Sequence, residues 1–433
     1  MPRVMVSIKE ILQGKHSGED VIIRGWIYRT RSSGGLVFAV IRDSSGLLQS
    51  TVNKESVSEK AFADARRALV ESSVEVKGEV VEDERAPGGY EIRANDFRVI
   101  SLAEKFPISK DKSKEFLLDV RHLWVRSQEM TNILKVRSSV FGAIHDYFRS
   151  EGFYETQSPS FTPSACEGGS SQFEVDYFGR KVYLTQSWQL YAEATMMGLE
   201  KIYCVAPSFR AEKSRTTRHL TEYWHAEAEM AWMGMDEAIG IGENLIFHIC
   251  EFVADEMPDE LRAVGRDPDD LRRIRPPFPK LNYSEAIEKL REAGMDIEWG
   301  KDLRTIEERK LMAFFDKPAI VTHYPREIMA FYKRVDPDNP ELTLSFDFIA
   351  PEIGDEIIGG SERENDIKKM KENLIRDGED LSSYEWYFDT RRYGAVPHSG
   401  FGMGIDRVVQ WICRLGHIRD AIPFPRTLTR SYP

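Results

Sequence analysis

Phe209-Arg210-Ala211-Glu212, followed closely by Arg218-His219-Leu220-Thr221-Glu222-Tyr223, and far downstream Gly402-Met403-Gly404-Ile405-Asp406-Arg407, are the stretches on which the reading of this chain turns. Each places an arginine on a strand or beside a glycine-rich turn, where a fixed guanidinium fork holds phosphate oxygens in a geometry that lysine cannot copy. Alone, an Arg-x-Glu is more often a surface ion pair, and a Gly-x-Gly-x-x-Arg more often a tight turn. Together and in this order they read as two halves of one nucleotide site.

Working outward, 433 residues exceed a single compact core, so about two or three domains are expected. Hydrophobic content of 41% and charged content of 30% match an ordinary soluble globular protein. No apolar run approaches the roughly 20 residues that span a bilayer, and Met1-Pro2-Arg3-Val4 lacks the basic-then-apolar start of a signal peptide. A cytoplasmic protein without membrane association is the expectation. Cys166, Cys204, Cys250 and Cys413 show no Cys-x-x-Cys spacing, which speaks against a disulfide framework or zinc ribbon and for reduced, mostly buried thiols. A net charge of −12 argues superficially against a polyanionic partner. Yet Arg24, Arg29, Arg31 and Arg42 near the start, and Lys213, Arg215 and Arg218 in one loop, make two local basic stations at which RNA can bind.

Short alternating segments near Val21–Ile27, Gly35–Arg42, Leu47–Val52, Ser73–Val80 and Tyr90–Ile100, with a helix from Ser58 to Leu69, predict five strands with a helix between the third and fourth. That is the pattern of a five-stranded OB-fold β-barrel over residues 1–103, a module often used on single-stranded nucleic acid. A hinge is expected at 104–130, its most polar part from Ala103 to Lys114. From 131 to 433, helices such as Ile133 to Ser150 mix with strands such as Lys181 to Thr185, Ile202 to Ala206 and Glu341 to Ile349. Without regular alternation or a phosphate-binding Gly-x-Gly-x-x-Gly loop, this predicts an α+β domain: an antiparallel β-sheet flanked by helices. Asp347 and Glu356 are candidates to hold Mg²⁺, which accepts one or two carboxylates plus phosphate and water; solvated loop carboxylates are the bland alternative.

Further stretches complete a family pattern: Cys166-Glu167-Gly168-Gly169-Ser170-Ser171, Leu184-Thr185-Gln186-Ser187-Trp188-Gln189-Leu190-Tyr191, the Arg210 to Glu229 segment, Glu356-Ile357-Ile358-Gly359-Gly360-Ser361-Glu362-Arg363, and Pro397-His398-Ser399-Gly400 leading to Arg407. With them, over nearly all of its length, the chain resembles the class II aminoacyl-tRNA synthetases, in the subclass of aspartyl, asparaginyl and lysyl enzymes. Within that subclass it is similar to the asparaginyl group of archaeal and eukaryotic type. The resemblance implies a class II catalytic domain and an ATP-dependent ligase that makes an aminoacyl adenylate and passes it to the tRNA 3′-hydroxyl. It implies that Arg210, Glu212, Arg218, His219, Leu220, Tyr223, Glu356, Gly404, Ile405, Asp406 and Arg407 bind ATP, with Arg210 and Arg407 as the catalytic pair. Arg210 would clamp the α-phosphate and Arg407 the γ-phosphate, while Glu212 would accept from the adenine amino group and Tyr223 offer it a stacking face. Glu167 and Gln189 would take the α-amino end and Arg363 the side-chain carbonyl. The helix before Phe153-Tyr154-Glu155-Thr156-Gln157-Ser158-Pro159 would build a homodimer interface.

Asparagine over aspartate is implied at two positions: Ala192 stands where aspartyl enzymes carry a lysine, and Glu227 where they carry an aspartate. Glu227 would accept from the asparagine amide nitrogen, and aspartate would meet an uncompensated anion, costing a few kcal/mol. Its bland alternative is an ion pair with a neighbouring arginine. Such polar readers reach roughly 10⁴-fold discrimination without editing. Gly359 replaces a serine near the aspartyl enzymes' metal, so fewer protein ligands are expected here. In the barrel, Arg31, Phe38 and Gln49 would meet the tRNA(Asn) anticodon, although alternation alone also allows Phe38 as a core residue. Three alternatives stay open: a nondiscriminating aspartyl synthetase, disfavoured by Ala192 and Glu227; a paralogue making free asparagine, disfavoured by the barrel; and a non-catalytic RNA-binding descendant, disfavoured by Arg210 and Arg407.

Overall fold

The structure, a computed structural model, describes residues 4–109, 112–164, 166, 172–214 and 216–433. Contacts divide the chain into Met1–Leu118 and Asp119–Pro433.

The first unit comprises β1 (Val4–Met5), α1 (Ile8–Leu12), β2 (Asp20–Ser33), β3 (Leu36–Arg42), β4 (Leu47–Asn53), α2 (Glu59–Arg67), β5 (Ser73–Glu82) and β6 (Tyr90–Ser101). Strands run in the order β1-β2-β3-β4-β6-β5, and β5 also pairs with β2, so five strands close on themselves and β1 is a short parallel addition. Closure removes the sheet edges that would otherwise expose unpaired backbone. Alternation decides the inside: β4 buries Leu48, Ser50 and Val52 and turns Gln49 and Thr51 the other way. The helix expected from Ser58 to Leu69 runs from Glu59 to Arg67. Ser58 caps it, accepting from the Ala61 amide at 3.2 Å, and Ala68 leaves helical geometry.

The second unit holds an eight-stranded sheet built from β7 (Tyr154–Glu155), β11 (Lys201–Phe209), β12 (Glu222–Ala231), β13 (Lys280–Asn282), β14 (Ala319–Thr322), β15 (Ser345–Ala350), β16 (Asp355–Glu362) and β17 (His398–Gly404). Their order is β13-β14-β15-β16-β17-β12-β11-β7. A separate sheet takes β8 (Phe161–Thr162), β9 (Glu174–Tyr177) and β10 (Arg180–Leu184). The large sheet is antiparallel through its centre; only its end pairs, β13 with β14 and β7 with β11, are parallel. The expected strand over Glu341 to Ile349 starts only at Ser345, because Leu342 and Thr343 make isolated bridges to Pro325 and Val335 instead.

α3 (Gln128–Ser150) begins earlier than Ile133 because Ser127 caps it, accepting from the Met130 amide at 3.2 Å. Its buried Ile133, Val136, Val140, Ala143, Ile144 and Tyr147 recur at helical spacing. Phe148 stacks on Tyr203 at 4.7 Å between centroids and meets Phe401 at 6.5 Å, closing one face of the sheet. α5 (Met235–Glu256) adds to that layer, with Gly242 seated against the Phe348 ring. The other face is left to α4 (Gln189–Leu199), α6 (Thr305–Met312) and α7 (Glu385–Arg392), while α8 (Ile405–Ile412) packs against α3. Among the described residues no helix is long and apolar enough to cross a membrane.

Candidate active site

On the open face, β12 presents Glu227 and Glu229, two residues apart and therefore on one side of the strand. Opposite them in register β17 places Gly402 and Gly400. A Cβ at Gly400 would stand 2.0 Å from Glu229 Oε2, so only glycine leaves room for that carboxylate. The glycines quoted from the sequence are thus the floor of a site walled by its neighbours' charged side chains.

Two chambers share this floor. The first is lined by Arg210, Arg218, His219, Leu220, Tyr223, Glu356, Gly404, Asp406 and Arg407, which the sequence reading had grouped, and also by His225, Ile357, Gly402 and Ile418. Leu220 packs with Ile418 and Ile422, giving the chamber an apolar wall. Arg210 lies over the Tyr223 ring at 5.9 Å. Arg407 donates to the Glu356 carbonyl at 2.7 Å, and Arg218 bonds Glu308 and reaches Asp355 at 3.4 Å. Burial, then the charges of Arg407, Arg218 and Arg210, holds the His219 imidazole down to about 4. Three guanidiniums therefore converge on one place, where a polyanion fits.

Three of the expected ATP residues sit differently from the rest. Glu212 is on the rim, its nearer oxygen 4.0 Å from His219 Nε2. Ile405 is fully buried. The Asp406 carboxylate is engaged by Arg137 at 2.5 Å and by the Trp224 amide at 2.8 Å, which pins the start of α8 to β12 and so positions Arg407.

The second chamber takes in Ser187, Gln189, Glu227, Glu229, Arg363 and Tyr332, and it shares Arg210, His225, Glu356 and Gly402 with the first. Arg363 is buried, donating to Glu229 through Nε and Nη2 and to Ser361 Oγ through Nη1 at 2.9 Å. Glu227 bonds no arginine among the described residues. It accepts from Ser187 Oγ at 2.6 Å and from the Trp188 amide at 2.7 Å, with His225 Nδ1 at 3.2 Å. Cys204 Sγ lies 3.9 Å from Glu227 Oε2. Burial works against its charge, and these hydrogen bonds outweigh it, holding Glu227 below the usual carboxylate range. Ala192 is packed among Trp188, Met196, Ile202 and Cys204 under the site. Glu167 and Arg215 lie outside the described residues.

Asp347 and Glu356 do converge. A Cβ at Gly359 would fall 2.6 Å from Glu356 Oε1 and 3.3 Å from Asp347 Oδ1, so the missing side chain makes a cradle between two carboxylates. Burial and the Glu356 charge push Asp347 up to about 7. Crowded anions of this kind fit a divalent cation.

In the first unit, Arg31 and Phe38 are cross-strand partners, with the guanidinium 4.9 Å from the ring centroid. Phe38 is half-buried and points away from the core that Val37 and Ala39 join. Gln49 donates to Glu91 at 3.0 Å, and Thr51 donates to the same oxygen.

Sequence reasoning passed over Glu193, Glu229, His225, Glu308 and Arg391 as site residues. Glu193 follows Gln189 by four positions and Glu229 follows Glu227 by two, spacings that put each pair on one face. That signal was present but was not distinguishable from ordinary surface charge.

The family of class II tRNA synthetases (D, K and N) matches residues 113–428, and the OB-fold nucleic acid binding domain matches 21–100. The chain is 48% identical over 429 residues to an asparagine–tRNA ligase of Thermoplasma acidophilum, covering 99% of this chain and 100% of the relative. Its fold is similar to the crystal structure of asparaginyl-tRNA synthetase from Pyrococcus horikoshii complexed with asparaginyl-adenylate, at TM-score 0.96 and 43% identity, with 99% of both chains covered. It is also similar, at TM-score 0.86 and 26% identity, to an aspartyl tRNA synthetase from Entamoeba histolytica, with 99% of this chain and 93% of that one covered.

Proposed function

The chain belongs to the class II tRNA synthetases for aspartate, lysine and asparagine, and on that premise we propose that it attaches L-asparagine to tRNA(Asn) in two steps. The asparagine carboxylate attacks the α-phosphorus of ATP, giving asparaginyl adenylate and releasing pyrophosphate. The 3′-hydroxyl of the terminal adenosine then attacks the activated carbonyl, and AMP leaves. The observation that carries this reading is the sharing of Arg210 by two chambers, one ringed by cations and one by polar readers.

No protein nucleophile is needed, only alignment and neutralisation of developing charge. Arg210 holds the reacting α-phosphate and carboxylate together. Arg218 exchanges its carboxylate partners, and Arg407 its contacts with the Glu356 carbonyl and carboxylate, for the outer phosphates, and adenine lies against Leu220, Tyr223 and Ile418 with Glu212 at its edge. Asp347 and Glu356 would hold Mg²⁺, which would supply charge neutralisation to the phosphates. Gln189 takes the ammonium. Arg363 donates to the amide oxygen, having two of its N–H groups outside the bonds to Glu229 and Ser361 among the described residues. Glu227 accepts from the amide nitrogen.

Arg31, Phe38 and Gln49 meet the anticodon in a domain we place at 1–103, followed by the hinge at 104–130 and the catalytic domain at 131–433. The protein works as a homodimer through α3 and the segment after it, where Tyr154 on the edge strand β7 is exposed. Its four buried cysteines fit the reducing cytoplasm.

The test is ATP–pyrophosphate exchange with asparagine and aspartate at matched concentrations, followed by charging of tRNA(Asn). Exchange with asparagine alone is expected. Equal exchange with aspartate would replace this reading by a nondiscriminating synthetase.

A further inference from the structure

Behind the second chamber, α4, α7 and β17 bring together a buried cluster to which the reaction described above gives no task. Glu193, with no exposed surface, is at its centre. Its Oε1 accepts from Gln189 Nε2 at 2.9 Å and lies 3.8 Å from Arg363 Nε. Its Oε2 accepts from the Tyr387 hydroxyl at 2.7 Å, lies 3.1 Å from His398 Nε2, and receives Nη2 of Arg391. One oxygen therefore faces two groups assigned to amino-acid recognition, and the other is anchored on α7 and β17.

A metal centre is the first alternative, since ligating atoms of Glu193, Glu229 and His398 all lie within 4.8 Å of one another. The guanidiniums of Arg363 and Arg391 already supply positive charge there, and a cation would have to displace two buried arginines. Burial opposes the Glu193 charge, and Arg391, His398 and Arg363 overcome it, holding the carboxyl below its usual range.

We propose that Glu193 is a positioning residue for asparagine recognition, fixing which end of the Gln189 amide meets the substrate. The two ends of a glutamine amide are nearly the same shape, so only its hydrogen-bond partners decide its orientation. An anion at Nε2 forces the amide nitrogen inward and turns the carbonyl oxygen toward the position of the ammonium. Glutamine at 193 removes that instruction, because its own amide can satisfy either orientation of Gln189. This inference rests on the role given above to Gln189.

The experiment is pyrophosphate exchange by the full chain as wild type, Glu193→Gln, Gln189→Ala and the double variant, with KM measured for asparagine and for ATP. The expected result is a KM for asparagine raised about tenfold in Glu193→Gln with that for ATP within about twofold, and a double variant no worse than Gln189→Ala. If Glu193→Gln does not fold, Tyr387→Phe removes one anchor of Oε2 without touching the reading groups. It is expected to raise the asparagine KM severalfold and leave the ATP KM in place. Equal rises in both KM values, or losses that multiply in the double variant, overturn the inference while leaving the functional reading intact. A wild type without asparagine-dependent exchange overturns both.

Discussion

Arg363 donates through Nε and Nη2 to the two oxygens of Glu229, each at 2.8 Å. The pair is buried, and this fork-on-carboxylate geometry leaves the guanidinium one orientation in the wall of the second chamber. On the reading proposed above, selection of an amide oxygen would depend on that fixed pose more than on the charge.

Arg363→Lys keeps the charge and loses the fork. Asparagine-dependent exchange is expected to fall by about 10²-fold or more in kcat/KM, because the site loses a hydrogen bond made to a polar substrate group and leaves Glu229 half-satisfied. Glu229→Gln is expected to lower stability by about 3 kcal/mol, read by chemical denaturation, since it breaks a buried pair from one side. Unchanged midpoints would refute this account of the pair.

Glu227→Gln offers a single acceptor oxygen to two donors, Ser187 Oγ and the Trp188 amide. We expect a loss of about 1–3 kcal/mol in asparagine kcat/KM. The aspartate-to-asparagine ratio of exchange rates should rise, because the repelling anion is gone. A variant that loses both substrates equally would show Glu227 to be only a brace for the loop before α4.

Arg210 touches both chambers and Arg407 only the first. Arg407→Lys is therefore expected to raise the KM for ATP with the asparagine KM unchanged. Arg210→Lys should damage both and lower kcat by about 10²–10³-fold, the scale for losing one preorganised charge stabiliser. Steady-state exchange kinetics separate the two.

The His219 imidazole, held near 4 by burial and by Arg407, Arg218 and Arg210, with Glu356 and Glu212 opposing, is neutral at pH 7. Unfolded, it would protonate near its ordinary value of about 6.5, so the unfolded chain binds the extra proton. This residue's contribution to stability is thus complete above about pH 6.5 and falls as pH drops toward 4. A nonhydrolysable ATP analogue, by neutralising the three arginines, is expected to raise the His219 midpoint by at least a unit in an NMR titration. A midpoint unmoved by the analogue would place the polyphosphate elsewhere.

Phe38→Ala should leave asparagine-dependent exchange untouched and weaken tRNA charging. The loss is expected at about 1–3 kcal/mol, seen as a raised KM for tRNA, because base stacking on an aromatic ring is worth that much. Equal damage to both assays would return Phe38 to a structural role.

The strand pattern of β2 to β6 and the helix after β4 were legible because alternation and capping are local; the boundaries moved by a few residues where Ser58 and Ser127 set the caps. The arginines that line the first chamber were legible because their neighbours carry a recognisable order. The pairing of Asp406 with Arg137 was not, since only the fold brings Arg137 to it from far along the chain. Glu193 escaped notice for the same reason: its partners Tyr387, Arg391 and His398 come from α7 and β17.

The sequence by itself determined the kinds of group available, the barrel and the antiparallel sheet, because side-chain period and turn residues act within a few positions of one another. Only the tertiary structure decided which carboxylate answers which guanidinium. Those pairings depend on strand register between β12 and β17 and on the glycines that let buried charges approach, and neither is encoded in any short segment.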